Sequence, residues 1–403
     1  QPLPTRCPQS SNGLCAGARS PQRPWESAKR GHKERHRPSN RCAHVLPIEW
    51  VAHKPTGGRL ITRCAAAGAV ARRPAHTSAM RTPVPWPLPQ VPTRGHDLRA
   101  VGITSDKLAG EVRRGTIVRL RRDIYIAASA LPDDPRDLHL LRTLAEQTVL
   151  TDAVASHHSA ALAWRLPLPN GRAAAEGPPS LTRRRDTRTR SGATPSAVIH
   201  CAVLPHHHVT TGPYGLRLTT RARTTVDVAT GLDLPHALMV VDAGARGEAS
   251  DLSAAPRRRD LEHPGLRAAA VEPMREALCH RQRGRSALVR VMDLADPRRE
   301  SPAESLSFGH MVVRGLPLPL LQHPIRTSTG MTYPDFLWPA LALIGEVDGA
   351  IKYRTADDML SEKRREQALR DAGYDFVRWT GKEIWGSPAT VLDRIERALE
   401  ARA

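Results

Sequence analysis

The stretch Met331-Thr332-Tyr333-Pro334-Asp335-Phe336-Leu337-Trp338, then Pro339-Ala340, then Leu341-Ala342-Leu343-Ile344-Gly345-Glu346-Val347-Asp348, decides how the chain is read. Two apolar runs joined by a short reversal predict a hairpin, and each run delivers acids into otherwise buried sequence. Buried carboxylates left unpaired are costly, so their presence needs a reason. Strand periodicity puts Glu346 and Asp348 on one face and Val347 on the other, with Asp335 on the preceding strand. Three carboxylates can then converge, and a divalent cation relieves their repulsion. Mg2+ (or Mn2+) takes a few carboxylates together with waters and phosphate oxygens, and is the expected cofactor. Phosphodiester hydrolysis suits such a site: the metal activates a water, neutralises charge on the scissile phosphate and stabilises the leaving oxygen. Lys352, or Lys363 on the following helix, lies within sequence reach to support the transition state.

The flanking elements follow from their punctuation. Ser301-Pro302-Ala303-Glu304 opens a helix with a cap and a proline at the first position, and Glu304 completes the capping-box pattern, which gives it a structural explanation. That helix runs to Gly315, and residues 318–321 lead into a sheet. Residues 356–372 form a helix rich in charge (Glu362, Lys363, Arg364, Arg365, Glu366), read as a solvated or DNA-facing side and closed by Gly373. Residues 374–379 return as a strand containing Arg378, and Ser387-Pro388 opens a last helix with Val391, Ile395 and Leu399 on one face.

This order, with Tyr333-Pro334-Asp335-Phe336, Gly345-Glu346-Val347-Asp348-Gly349, Glu362-Lys363-Arg364-Arg365-Glu366 and Gly373-Tyr374-Asp375-Phe376-Val377-Arg378-Trp379, resembles the very-short-patch-repair-like endonuclease domains of the PD-(D/E)xK superfamily over residues 300–400. The resemblance implies a restriction-endonuclease-like α/β domain that cleaves DNA. It further implies Asp335 and Glu346 as metal ligands, Asp348 as an additional site acid and Glu304 as the helix acid found near such sites. Two residues depart from the pattern: Asp348 stands where the superfamily has its lysine, and Lys352 stands where related domains often carry histidine. An account in which the acids are remnants on a scaffold used only for DNA binding therefore stays open.

Upstream, short periodic segments begin at Arg94. Leu98 and Val101 fit a first short helix, Gly102-Ile103-Thr104 a turn, and Ser105 to Arg114 a second helix ending at Gly115. Residues 117–126 then alternate, with Arg122-Asp123 as the reversal. Helix, turn, helix and wing is the order of a winged helix-turn-helix, in which Lys107, Arg113, Arg114, Arg119 and Arg121 meet the phosphates or bases of double-stranded DNA unless they are merely solvated. Residues 137–168 read as helical, residues 171–195 as a mobile basic loop, residues 197–204 and 216–218 as strands, His206-His207-His208 as an exposed turn with metal binding as the lesser alternative, and residues 221–230 and 234–246 as helices of a small α/β middle domain. Asp227 and Asp242, each without an acidic partner at useful spacing, are read as structural. The Gly-Ile-Thr turn, Val112-Arg113-Arg114-Gly115, Arg122-Asp123-Ile124-Tyr125-Ile126, Ser156-His157-His158-Ser159-Ala160-Ala161 and Thr220-Arg221-Ala222-Arg223-Thr224-Thr225-Val226-Asp227 resemble the AbiEi-type antitoxin family over residues 94–250. That family implies an N-terminal winged helix that binds DNA and represses its own operon; a cognate toxin is not identifiable from one chain.

The 403 residues suit two or three domains: a disordered basic segment 1–93, the winged helix 94–128, the middle domain 129–250, a linker with a helix 251–299, and the endonuclease-like domain 300–403. With 35 prolines and 4% aromatic residues, the packing leans on Leu, Val, Ile and Ala. Location decides what the formal charge of +20 means, because 15 Lys/Arg against 3 Asp/Glu in residues 1–93 hold +12 of it. The chain begins at Gln1, and Met80 is a plausible initiator. Six cysteines without a Cys-x-x-Cys pair read as reduced thiols, and no apolar run is long enough to cross a membrane, so a cytoplasmic protein is expected. The leading expectation is a Mg2+-dependent DNA endonuclease; the competing one is a non-enzymatic antitoxin or autorepressor with a degenerate nuclease domain.

Overall fold

The computed structural model describes residues 86–169, 171, 173–185, 192–193, 196–254, 256–280, 284–349 and 356–403. Nearly all of the basic segment, with Met80 and four of the cysteines, lies outside the described residues, as does Lys352. Among the described residues the chain is a mixed α/β protein with thirteen α-helices and four sheets.

The first elements are β1 (Thr93–Arg94), α1 (Gly95–Ala100), α2 (Ser105–Arg114), β2 (Ile117–Arg121) and β3 (Ile124–Ala127). The Thr104 hydroxyl accepts from the Lys107 N–H at 3.2 Å and starts α2; Gly115, at φ 75°, ends it in the left-handed conformation that only glycine adopts without strain. Leu98, Ile103, Leu108 and Ile117 close a small core between the two helices and a sheet of order β1-β3-β2. The β2–β3 register shifts between Arg119 and Arg121, so simple alternation fails along β2.

The next elements are α3 (Pro135–Val149), β4 (Val154–Ala155), α4 (His157–Trp164), α5 (Ala173–Glu176), β5 (Ser180–Arg184), β6 (Gly192–Ala193), β7 (Val198–Ala202), β8 (Val209–Thr211) and β9 (Arg217–Thr219). They build a six-stranded sheet of order β6-β7-β5-β4-β9-β8. Two sequence expectations change here. The helical stretch 137–168 is interrupted by a turn at Thr151-Asp152, both poor helix formers, and by β4. The expected basic loop contains β5, paired on both sides by β4 and β7. Ser180, Leu181 and Thr182 are buried, and the arginines that give the segment its loop-like character lie at the strand's exit, where Arg183 meets Asp152 at 2.7 Å.

A helical layer follows: α6 (Arg221–Ala229), α7 (Leu234–Leu252), α8 (Pro264–Cys279), α9 (Arg285–Leu294) and α10 (Pro302–Arg314). Helix α7 buries an unbroken run from Ala237 to Asp242 and again Gly244, Ala245 and Ala249, the pattern of a helix packed on all sides. A Cβ at Gly309 of α10 would lie 2.6 Å from the Cα of Pro235, so only glycine permits this approach of α10 to α7. Residues 251–299, expected as a linker with one helix, hold α8 and α9, whose Val271, Met274, Leu278, Leu288 and Met292 belong to the same core as α7. Their alanine-rich, arginine-studded sequence disguises a face that is apolar only at every third or fourth position.

The last elements are β10 (Leu320–Leu321), β11 (Ile325–Thr327), β12 (Gly330–Thr332), β13 (Phe336–Trp338), β14 (Leu343–Asp348), α11 (Ala356–Asp371), β15 (Asp375–Thr380), α12 (Gly381–Gly386) and α13 (Pro388–Glu400). Their main sheet has the order β10-β13-β14-β15, antiparallel except for the parallel β14–β15 pair. The expected single run from Met331 to Trp338 splits at Tyr333-Pro334, because proline has no N–H for a ladder; β12 pairs with β11 instead. Leu343 and Val347 face the core shared with α10, α12 and α13, while Ile344 packs with Leu369 of α11. Among the described residues no helix is long and apolar enough to cross a membrane.

The carboxylate of Asp242 on α7 accepts from Arg299 Nη2 at 2.8 Å and from the Asp296 N–H at 2.8 Å, and both side chains of the ion pair are almost wholly buried. Removing one partner strands the other charge in the core. Asp242→Ala is therefore expected to cost about 3–5 kcal/mol in urea unfolding, with much of the loss recovered in an Asp242→Leu/Arg299→Met double variant; a loss under about 1 kcal/mol would show that the pair is not structural.

Candidate functional site

The hairpin β13–β14 carries the acids into a cleft of about 600 Å³ bordered by α10, α11 and α12. Asp335 enters immediately before β13. Its Oδ2 accepts from the Val347 N–H at 2.9 Å and its Oδ1 from Gln322 Nε2 at 3.1 Å, so the carboxylate bridges β10, β13 and β14. Glu346 is buried on β14 and accepts from Arg365 Nη2 at 3.1 Å. Burial alone would lower the Arg365 pKa, but Glu362, at 2.6 Å, and Glu346 outweigh it and raise the pKa. Asp348 lies on the same face of β14 as Glu346, 3.7 Å from Arg378 Nη1.

Glu304 also lines this cleft. The Ser301 hydroxyl accepts from the Glu304 N–H at 3.2 Å, as the cap predicts, but the reciprocal half differs: Glu304 Oε2 accepts from the Glu300 N–H at 2.7 Å, one residue before the cap. Burial, reinforced by the charge of Asp335, pushes its carboxyl up to about 7. The cleft thus holds Asp335, Glu346, Asp348 and Glu304 together, and two cations border it: Arg365 and Arg258, the latter forked onto Glu300 at 2.7 and 2.8 Å. Among the described residues these carboxylates do not form a group of three within 4.8 Å of one another; that spacing is reached by His207, His208, Glu276 and His280. Lys363 is exposed on α11, and Lys352 falls outside the described residues.

Three contributors escape the sequence reading. Arg258 sits in the segment taken for a linker, and Gln322 in a stretch with no motif. Arg365 had a usable signal: it lies one turn before Leu369, which is fully buried against the sheet, so the two share a helix face.

The five basic residues expected to meet DNA divide by environment. Arg113 and Arg119 are exposed and border a concavity of about 430 Å³ between α2 and the hairpin, together with Arg99. Arg114 is paired with Glu111 at 2.6 Å, and the Lys107 ammonium lies 5.5 Å from the Trp86 ring. Arg121 corrects the expectation: it pairs with the buried Glu146 of α3 at 2.6 Å, because the irregularity after Arg119 takes it off the face that alternation gives it.

No known-family model matches this chain. Two Mycobacterium tuberculosis proteins, "Uncharacterized protein Rv2248" and "Uncharacterized protein MT2308", are each 33% identical to it over 190 residues, which is 46% of this chain. The match spans 63% of the length of those relatives. Among solved structures, the RV2827C protein from Mycobacterium tuberculosis aligns with a TM-score of 0.28 at 14% identity, over 58% of this chain and 83% of that one.

Because the Glu304 carboxyl is raised from its ordinary 4.5 to about 7, the folded state binds the extra proton between those values. The charged form burdens the fold, so stability contributed at low pH is lost as pH rises through that window. In metal-free buffer Glu304→Gln is expected to match the wild type near pH 4.5 and to exceed it at pH 8 by on the order of 2–3 kcal/mol. Urea unfolding at both pH values checks this, and equal stability at pH 8 would mean that Glu304 ionises without penalty.

Proposed function

We propose that the C-terminal cleft is the site of a Mg2+-dependent endonuclease acting on double-stranded DNA, in a restriction-endonuclease-like domain. The observation that carries the reading is the gathering of Glu304, Asp335, Glu346 and Asp348 in one open cleft beside Arg258 and Arg365. The cleft also fits a divalent cation by its unfinished chemistry. Glu304 and Asp335 burden each other with like charge. Asp335 and Glu346 would hold the ion, with Glu304 of the same cleft as a neighbouring oxygen donor. Bound there, Mg2+ supplies charge neutralisation and an activated water for phosphodiester cleavage.

The chain's own groups do the rest. Arg365, fixed by Glu362, takes the cationic place that Asp348 leaves vacant in the superfamily pattern, and it reaches the site from α11 instead of β14. Arg258 and Arg365 together favour an anionic phosphate in an otherwise acidic cleft. Glu304, poised near 7 with Oε2 engaged by the Glu300 N–H, can hold or release a proton at Oε1. The helices α1 and α2 with the β2–β3 hairpin support a winged helix, with Arg99, Arg113 and Arg119 as the phosphate-facing group.

The AbiEi-type autorepressor is the second reading, favoured by one observation: Glu346 is already neutralised by Arg365, and Asp335 by the Val347 N–H and Gln322, so the acids are balanced by the chain itself. Under that reading the cleft is inert and only the N-terminal face binds DNA.

Cleavage assays separate the two. Asp335→Ala is expected to lower Mg2+-dependent cleavage by more than the roughly 10–100-fold that loss of a supporting partner costs, while duplex binding persists. Unchanged turnover in this variant, or none in the wild type with Mg2+ or Mn2+, removes the nuclease assignment.

Binding has its own test. Replacing both Arg113 and Arg119 by Ala should weaken duplex affinity and reduce the slope of log K against log salt by about 2, one unit for each lost phosphate contact. An unchanged slope excludes this face.

A further inference from the structure

His206–His208 forms a tight turn between β7 and β8, which the sequence reads as an exposed turn with metal binding as the lesser alternative. Two of its imidazoles instead converge with a third on a single carboxylate. His207 Nε2 lies 3.1 Å from Glu276 Oε1, His280 Nε2 lies 3.1 Å from the same oxygen, and His208 Nε2 lies 2.8 Å from Oε2. Glu276 and His280 stand four residues apart, one turn of α8, so both project from the same side of its C-terminal end. His208 is buried, whereas the other three are partly or largely exposed, so an ion has access from solvent.

We infer that His207, His208, Glu276 and His280 form a structural site for a zinc-class divalent cation, independent of the cleft chemistry. Three imidazole nitrogens and one carboxylate oxygen suit Zn2+ and poorly suit Mg2+ or Ca2+, which prefer all-oxygen shells. All four ligating atoms already lie within 4.8 Å of one another. Ligands of a tetrahedral zinc at about 2.0–2.1 Å stand roughly 3.3 Å apart, so the two imidazoles already on Oε1 at 3.1 Å need to open by only a few tenths of an ångström, while His208 exchanges its bond to Oε2 for the ion. The imidazole nitrogens, within 4.8 Å of one another, have to draw closer, and His207, the most exposed of the three rings, is free to turn.

Four protein donors fill a tetrahedron and leave no open position, which marks the site as structural rather than catalytic. The location agrees. The turn belongs to the six-stranded sheet and α8 to the helical core, so a shared ion clamps two layers that the chain joins only through β8, β9, α6 and α7. The backbone behind the buried ligand is fixed already, since the His208 carbonyl accepts from the Thr220 N–H at 2.9 Å. Arg223 Nη1 lies 3.5 Å from His208 Nδ1, at the limit of a hydrogen bond, and Arg223 is otherwise held by Asp227 and the Val203 carbonyl, so metal binding gives up little there.

The test uses the full chain stripped with a chelator and titrated with Zn2+ alone, read by calorimetry and thermal unfolding. One equivalent should bind to these residues and raise Tm by several degrees. Residues 1–85 contain further histidines and cysteines, so the readout is the difference between proteins. A His207→Ala/His280→Ala double variant, which leaves the buried His208 in place, should lose one equivalent and the Tm rise, and His206→Ala should keep both. Co2+ bound to the wild type should give the intense visible absorption of a tetrahedral centre, a signal absent from the double variant. Equal Zn2+ uptake and equal Tm shifts in wild type and double variant, or only octahedral Co2+ spectra, would reduce the cluster to a hydrogen-bonded His–Glu network and overturn the inference.

Discussion

The structure depends on an ion pair taken out of water. Asp242 and Arg299 face each other in the core, with the Arg299 guanidinium 4.4 Å from the Phe308 ring. Burial raises the Asp242 pKa, and the charge and hydrogen bonds of Arg299 oppose that rise. Such a pair adds little net stability over a well-packed apolar alternative, but it specifies geometry. Here it fixes where the segment before α10 crosses α7. Ser301 and Glu304 follow within five residues of Arg299, so the acid at the cleft's edge is placed by a contact on its far side. Gly309 reinforces the same crossing, because a side chain there would collide with Pro235.

Electrostatics in the cleft follow from that placement. Each acid is handled differently: Glu346 by a guanidinium, Asp335 by a backbone N–H and an amide, Asp348 by a more distant arginine, and Glu304 by holding its proton to higher pH. The last is the weakest solution and therefore the one most sensitive to an arriving cation. Burial raises the Glu304 pKa first and the charge of Asp335 adds to it, and a positive ion near Asp335 would remove that second part. The site is thus electrostatically adjustable where Glu304 meets Asp335 and stiff where Glu346 meets Arg365.

The sequence carried the hairpin well, because alternation, a proline at the reversal and acids at fixed phase all survive in tertiary context. Glu346 and Asp348 share a strand face, as periodicity requires, whereas Asp335, expected on the preceding strand, stands just before β13. It carried β5 and the α8–α9 pair badly. In β5, three buried residues run into two arginines, and the charge masked the strand. In α8 and α9 the apolar face is built from Ala, Val, Leu and Met at wide spacing, which reads as a linker until α7 supplies the surface it covers. Arg121 shows the limit of pattern reading: one register irregularity redirects a side chain toward Glu146, and nothing local announces it. The His–Glu cluster was illegible for another reason, since 68 residues separate His208 from Glu276 and only the fold brings them together.

These packing relations bear on modularity. A cut near residue 250 falls within α7, whose Leu238, Met239, Val240 and Val241 belong to one core with α8, α9 and α10. The chain therefore cannot be divided there without exposing its own central helix. The N-terminal elements are likewise anchored, through Arg94 donating to the Thr148 carbonyl at 3.0 Å and through Arg121 on Glu146, both on α3. Arg121, expected at the basic face, is one of these attachments. Through these two contacts the N-terminal sheet and α3 pack as one unit rather than as a tethered module.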